Sequence, residues 1–199
     1  FRNIDKNSKK VNFLRGYGYQ GGASRTYWSD SVAELSYGAD FKDKITQAGE
    51  WRIGMGGFGE VLPYHENKMT LNYNKLDQFG LPKITLDAEF KENEKKMKED
   101  WKIQAAEMLE ATGFRDIKIN DSNAPIGKGI HEMGTARMGR DPKTSVLNKY
   151  NQIHAVKNVF VTDGACMTSA ANQNPSLTYM ALTARAVNHA VSELKRMNL

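Results

Sequence analysis

The stretch from Pro175 to about Lys195 constrains the fold of this chain more than any other part of it. Leu177, Met180, Ala181, Ala184, Val187, Val191 and Leu194 recur at spacings of three and four, so on a helix they form one apolar stripe. Asn174 stands where an N-cap belongs, and Pro175 suits the first helical position, where a missing N–H is no loss. A second helix is predicted from about Asn93 to Ala111, with Met97, Trp101, Ala105, Met108 and Leu109 on one face. Gly113 follows it as a left-handed stop.

Ahead of that helix, Met69, Leu71 and Tyr73 alternate with polar residues, as do Ile84, Leu86, Ala88 and Phe90. A period of two predicts half-buried strands. The segments from Val11 to Leu14 and from Trp51 to Ile53 also read as strands, and Asp40 to Ala48 as a short helix with Gly49 just past its end. Phe114, Ile117 and Ile119 fall in a further predicted strand, and Val159 to Thr162 in a short buried one that ends at Asp163-Gly164. Strands followed by an amphipathic helix and more strand make an α+β arrangement. Ser, Asn, Pro and Gly accumulate from Asp121 to Gly129, which places a boundary between residues 1–120 and 121–199.

Composition sets outer bounds. Hydrophobic residues make up 40% of the 199 and charged ones 26%, a globular balance rather than a disordered one. The net charge of +5 invites a nucleic-acid reading, but the bases alternate with acids, as in Lys91-Glu92-Asn93-Glu94-Lys95-Lys96. That pattern is a solvated face, and no nucleic-acid motif accompanies it. One cysteine, Cys166, excludes an internal disulfide. No apolar run approaches the length of a membrane helix, roughly 20 residues. The chain opens on Phe1 rather than Met, which is the expectation for a fragment or a processed product whose leader, if any, has been lost.

Several motifs suggest chemistry that their surroundings deny. Gly16-Tyr17-Gly18-Tyr19-Gln20-Gly21 and Gly54-Met55-Gly56-Gly57-Phe58-Gly59 both fit the G-x-G-x-x-G dinucleotide fingerprint. The fingerprint works only where a helix opens at the glycines and aims its N-terminus at a pyrophosphate. No helical stripe follows the first match, and Pro63 closes off the second, so both read as glycine-rich strand or turn. His131-Glu132 begins like H-E-x-x-H, but position 135 is Thr135, and no other metal-ligand spacing is present. No serine sits in a G-x-S-x-G elbow, and Cys166 reads as a small packed thiol.

What remains lies in the last third. His131 is set among glycines and small residues in His131-Glu132-Met133-Gly134-Thr135-Ala136-Arg137-Met138-Gly139, where backbone can pass close to a ligand. Histidine is the side chain best suited to taking a proton near neutral pH. The Asn174-Pro175 start of the last helix offers a terminus that stabilises nearby negative charge. Taken singly, both features have bland readings, a structural histidine and an ordinary helix start.

Together, however, they resemble the C-terminal signature of the glucose–methanol–choline (GMC) oxidoreductases. That signature is a His-x-x-Gly-Thr-x-x-Met-Gly segment, a strand ending in Asp-Gly, then Asn-Pro opening the last helix. Here these are His131 with Gly134-Thr135 and Met138-Gly139, then Val159 to Gly164, then Asn174-Pro175-Ser176-Leu177-Thr178. The segment from Leu62 to Ala111 looks like the strand–helix part of the family's substrate domain. The resemblance implies residues 1–120 as part of a substrate-binding domain and residues 121–199 as the segment that completes an FAD-binding domain.

It further implies His131 as catalytic base near the flavin N5, with Asn174 as its partner on the substrate oxygen. Asp163 and Gly164 would lie beside the FAD ribityl and phosphate region, and Pro175 and Thr178 near the isoalloxazine ring. The partners implied are a small alcohol or sugar and the FAD-binding portion that carries the family's own glycine fingerprint, which neither match here supplies. The rival reading is a non-catalytic α+β binding domain. That reading predicts that His131 and Asn174 lie far apart, a self-contained core and no exposed apolar faces.

Overall fold

Glycine dominates the first ribbon because another element lies directly on it. Strand β1 (Tyr17–Arg25) pairs antiparallel with β2 (Trp51–Gly59), in register from Tyr17 opposite Gly59 to Arg25 opposite Trp51. Helix α2 (Glu92–Ala111) packs on β2. A Cβ at Gly57 would lie 2.9 Å from the Trp101 indole, and one at Gly59 2.5 Å from the Met97 sulfur. Both G-x-G-x-x-G matches therefore belong to an antiparallel ribbon, as the sequence reading held. Gly57 and Gly59 admit side chains of α2, and Gly18 admits that of Asn172.

The computed structural model describes residue 7 and residues 11–27, 37–121 and 125–199. After β1 comes α1 (Ala39–Thr46), which ends two residues earlier than predicted, since Gln47 is already extended. Strands β3 (Lys68–Leu76) and β4 (Pro82–Asp87) form an antiparallel hairpin with Leu71 opposite Ile84 and Met69 opposite Leu86. Asp77 closes its turn: its Oδ1 accepts the N–H groups of Phe79 (2.8 Å) and Leu81 (2.9 Å), while Gly80 takes a φ of +79°. Beyond α2, Gly113 has the left-handed φ of +89° that the sequence demanded. The strand predicted through Phe114, Ile117 and Ile119 does not form; that stretch is turn and coil. Nor does Val11 to Leu14 make a strand, although Phe13 is buried.

A third ribbon joins β5 (Gln152–Ile153) to β6 (Val156–Phe160). A 3₁₀ turn (Gly164–Cys166) and α3 (Ser176–Lys195) complete the order. The fold is α+β, as expected, but the antiparallel pairing is divided among three two-stranded ribbons among the described residues.

The first core is aromatic. Phe13, Tyr17 and Met97 are buried together, with Tyr19 and Trp101 against them. Tyr17 meets the Trp101 ring edge-on at 6.0 Å and donates to Asp100 Oδ2 (2.5 Å), and Tyr19 donates to the Trp101 carbonyl (2.6 Å). Glu94, in the first turn of α2, is buried and well supplied with donors: the Leu62 N–H (3.1 Å), Tyr64 hydroxyl (3.2 Å), Lys91 N–H (3.0 Å) and Asn93 amide (3.3 Å). A buried carboxylate needs that many partners. It also closes a capping box, so one side chain both starts α2 and fastens the chain leaving β2.

Two apolar faces stay open. Met69, Leu71, Ile84 and Leu86 share one face of the β3–β4 hairpin; Met69 and Leu71 are about half exposed, and Ile84 (60%) and Leu86 (70%) are more open than the half-burial that the alternation predicted. On α3 the predicted stripe of Leu177, Met180, Val187, Val191 and Leu194 points outward, with Leu177 80% exposed. The inward face is instead Tyr179, Leu182, Thr183 and fully buried Ala186. Ala186 lets the helix come close, and Thr183 donates to the Thr162 carbonyl at 3.3 Å. β6 is likewise largely exposed rather than buried.

Two tests follow from this packing. A Gly57→Val variant drives a branched side chain into the Trp101 ring, and its urea midpoint should fall by the equivalent of about 1–3 kcal/mol. Asp121 is held by Lys98 and by Lys102 (3.1 Å), and these bonds lower its carboxyl below the ordinary aspartate range. A depressed folded-state value gives stability present above the unfolded value and lost as pH falls through the folded one. The gap in urea midpoint between wild type and Asp121→Asn should be open at neutral pH and close once pH drops below the aspartate range.

Candidate active site

Three segments carry the sequence-predicted site residues, and the backbone brings them together. The Ala136 N–H donates to the Ala165 carbonyl and the Met138 N–H to the Cys166 carbonyl, each at 2.9 Å, so residues 134–138 run beside the 3₁₀ turn. Gly134 has a φ of +91°, a conformation that favours glycine, and lies in contact with the carbonyls of Met167 and Thr168. Gly164 is tighter still. A Cβ there would meet the Met133 sulfur at 2.8 Å, the Tyr179 hydroxyl at 3.0 Å and the Glu132 carbonyl at 3.2 Å. Tyr179 lies in α3, where its N–H returns to the Pro175 carbonyl (3.1 Å) and its hydroxyl donates to the Met133 sulfur (3.6 Å). The residues after His131, the Asp163-Gly164 turn and the start of α3 thus meet around one phenol.

Each predicted residue has a definite place. His131 is half-buried in an irregular segment. The preceding turn is pinned where Glu132 Oε1 accepts the Gly129 N–H (2.9 Å). Ile130, immediately before His131, has a φ of +54° and is 85% exposed. A β-branched residue in that region carries about 1–2 kcal/mol of strain. Asp163 is exposed and caps the 3₁₀ turn, its Oδ1 accepting the Ala165 N–H at 2.9 Å.

Pro175 is buried and is itself the N-cap of α3, one residue later than the predicted cap. Asn174 is consequently not the cap. It is exposed, as is Thr178, and no side chain caps the helix. The first-turn N–H groups of α3 are left for another acceptor. Among the described residues no hydrogen bond joins the His131 and Asn174 side chains. β1 reaches the same region: the Gln20 amide donates to the Asn172 carbonyl (2.6 Å), and Gly18 leaves room for the Asn172 side chain.

Behind this face lies a buried polar anchor that the sequence reading did not single out. Asn151 is fully buried with a φ of +62°. Its Nδ2 donates to the Val161 carbonyl (3.0 Å), its own carbonyl accepts the Val161 N–H (2.9 Å), and its Oδ1 accepts from Arg185 Nη2 on α3 (3.4 Å). Its side chain also reaches Cys166, which is fully buried. Burial pushes the Cys166 thiol up, against a weaker opposing pull from that amide. Burial raises the Tyr179 hydroxyl too, with the Asp163, Cys166 and Glu132 charges adding to it. Tyr179 could have been found from helical spacing, since it leads the second, inward stripe of α3. Asn151 had only the turn signal of Asn148-Lys149-Tyr150-Asn151.

A family model described as GMC oxidoreductase matches residues 63–183, more than half of the chain, and the chain belongs to that family. It is 39% identical over 132 residues to 2-methyl-1,2-propanediol dehydrogenase of Mycolicibacterium austroafricanum, an alignment covering 65% of this chain and 23% of that protein. Similarity to the fructose dehydrogenase large subunit of Gluconobacter japonicus is 28%, covering 69% and 25%. For the gluconate 2-dehydrogenase flavoprotein of Pantoea cypripedii it is 26%, covering 86% and 31%. The chain spans between 23% and 31% of the length of these relatives.

The anchor makes two measurable demands. Asn151→Ala strands the Val161 carbonyl at about 1–3 kcal/mol and puts a Cβ-bearing residue without a local polar bond in the left-handed region. Asn151→Gly escapes the second penalty, so chemical denaturation should find it more stable than the alanine variant by about 1 kcal/mol. Cys166 should resist a disulfide reagent at mildly alkaline pH and react only with the rate of unfolding.

Proposed function

We propose that this chain is the substrate-side and C-terminal part of an FAD-dependent oxidoreductase that converts a CH–OH group of an alcohol, polyol or sugar to a carbonyl. The observation that carries the proposal is the meeting of three segments, those of His131, Asp163-Gly164 and Asn174-Pro175, in a member of the GMC family. Three relatives are named for 2-methyl-1,2-propanediol, fructose and gluconate, all hydroxyl-bearing compounds. One is named a flavoprotein.

The residues present fit a flavin. Asn174 and Thr178 are exposed beside a helix start that no side chain caps. A helix N-terminus favours nearby negative charge by up to about 1–2 kcal/mol. In this reading Asp163 and Gly164 hold the ribityl and phosphate region, and Asn174, Pro175 and Thr178 border the ring. FAD, when bound, supplies acceptance of hydride from the substrate carbon. His131 accepts the hydroxyl proton on its imidazole, and Asn174 donates a hydrogen bond to the same oxygen as negative charge grows there. Strain at Ile130 supports the assignment, because strained backbone clusters at working sites.

The open faces of α3 and of the β3–β4 hairpin support a role for residues 1–120 and 121–199 as two parts that pack against an FAD-binding portion. A self-contained binding domain predicts no such faces. Among the described residues no helix is long and apolar enough to cross a membrane.

In the complete enzyme, His131→Ala should slow flavin reduction in stopped flow by at least about ten-fold, the lower part of the range for positioned proton transfer. Reduction at the wild-type rate would remove His131 from the base role.

A further inference from the structure

A second candidate site lies on the opposite side of α3 from its exposed apolar stripe. Two adjoining concavities are formed there between the helix and residues 138–154, and Arg185 lines both. Neither is lined by His131 or Asn174. The first, of about 490 Å³, is lined by Arg140, Lys149, His154 and Arg185 and by no carboxylate. The second, of about 600 Å³, adds His189 and Arg196 and has Glu193 as its only acid.

Apart from Arg196, which pairs with Glu193 (3.2 Å), the cations in this cleft contact neutral groups. Arg185 Nη2 donates to Asn151 Oδ1 at 3.4 Å and to the Met138 sulfur at 3.5 Å. His154 Nε2 shares a hydrogen bond with the Ser145 hydroxyl (3.1 Å), and Lys149 sits over the Tyr150 ring, 4.9 Å from its centre. Among the described residues, Arg140, Lys149 and Arg185 make no ion pair. The nearby acids already have partners, and Glu193 offsets one of the charges within the second concavity. Asp141 Oδ1 accepts the Lys143 N–H (2.9 Å), and Glu193 is taken by Arg196 (3.2 Å) and Asn198 (2.8 Å).

Facing cations repel one another unless something negative lies between them. Two guanidinium forks and an ammonium around one concavity suit a compact oxyanion with more than one charge. We propose that this cleft is a phosphate-binding site, occupied by free phosphate or by the phosphate group of an ester, and separate from the site of alcohol oxidation. A monoanion would leave most of the local charge uncompensated. Arg185 is the fixed member, because the buried Asn151 holds it; Arg140 and Lys149, both exposed, close around the ligand.

The test is calorimetric titration of the complete enzyme with inorganic phosphate at about 150 mM NaCl, where general surface charge is screened. Saturable binding is expected, weakened at least about ten-fold in an Arg140→Gln, Lys149→Gln double variant. A second double variant, Lys75→Gln with Lys83→Gln on the β3–β4 hairpin, should bind as wild type does. Glycerol phosphate added as competitor distinguishes the two sources: displacement of phosphate assigns the site to phosphate esters, and no displacement to the free ion. Absence of saturable binding overturns the proposal. So does an equal loss in both double variants, which would mean that net charge alone is being read. Both pairs of side chains are exposed, so circular dichroism melts should stay close to wild type and leave the comparison interpretable.

Discussion

A single buried amide governs the geometry of the C-terminal half. Asn151 adopts a backbone conformation that asparagine tolerates better than most residues, and its side chain is spent on the Val161 carbonyl, Arg185 and Cys166. Those three partners lie at the end of β6, on α3 and in the 3₁₀ turn. Around Asn151, Leu147 is fully buried and bridges to both Met138 and Ile153, which extends the order to the His131 segment. Low local dielectric makes such a satisfied network strong, and makes a missing partner expensive.

The N-terminal half is ordered by a different device. Glu94 joins α2 to the chain leaving β2, and the glycines of β2 allow Met97 and Trp101 to lie almost on the strand backbone. Charge and close packing act at the same junction. The two halves touch where β1 meets Asn172, two residues before Asn174. The ribbon that carries the glycine-rich segments therefore touches the chain just ahead of α3.

The candidate site is assembled from segments with little regular secondary structure. His131 follows a strained Ile130, and Asn174 precedes a helix whose start is capped by a buried proline rather than by a side-chain oxygen. The same helix separates two chemically different surfaces. Its outward stripe is apolar, whereas the groove on its other side carries arginine, lysine and histidine among its lining residues.

Periodicity and turn chemistry were legible from the residues themselves. Both long helices, the β3–β4 hairpin, the Gly113 stop and the failure of the glycine fingerprints all follow from local spacing and from the conformations glycine and proline allow. The order His131, Asp163-Gly164, Asn174-Pro175 was likewise written in the sequence and tied the chain to its family. Which face of α3 turns inward was not, because hydrophobicity marks a stripe as able to be buried without saying by what. The absent strand at Phe114 to Ile119, the shift of the helix cap to Pro175 and the role of Asn151 were also decided only by tertiary contacts. Each depends on hydrogen-bond partners far along the chain, and no local pattern encodes those.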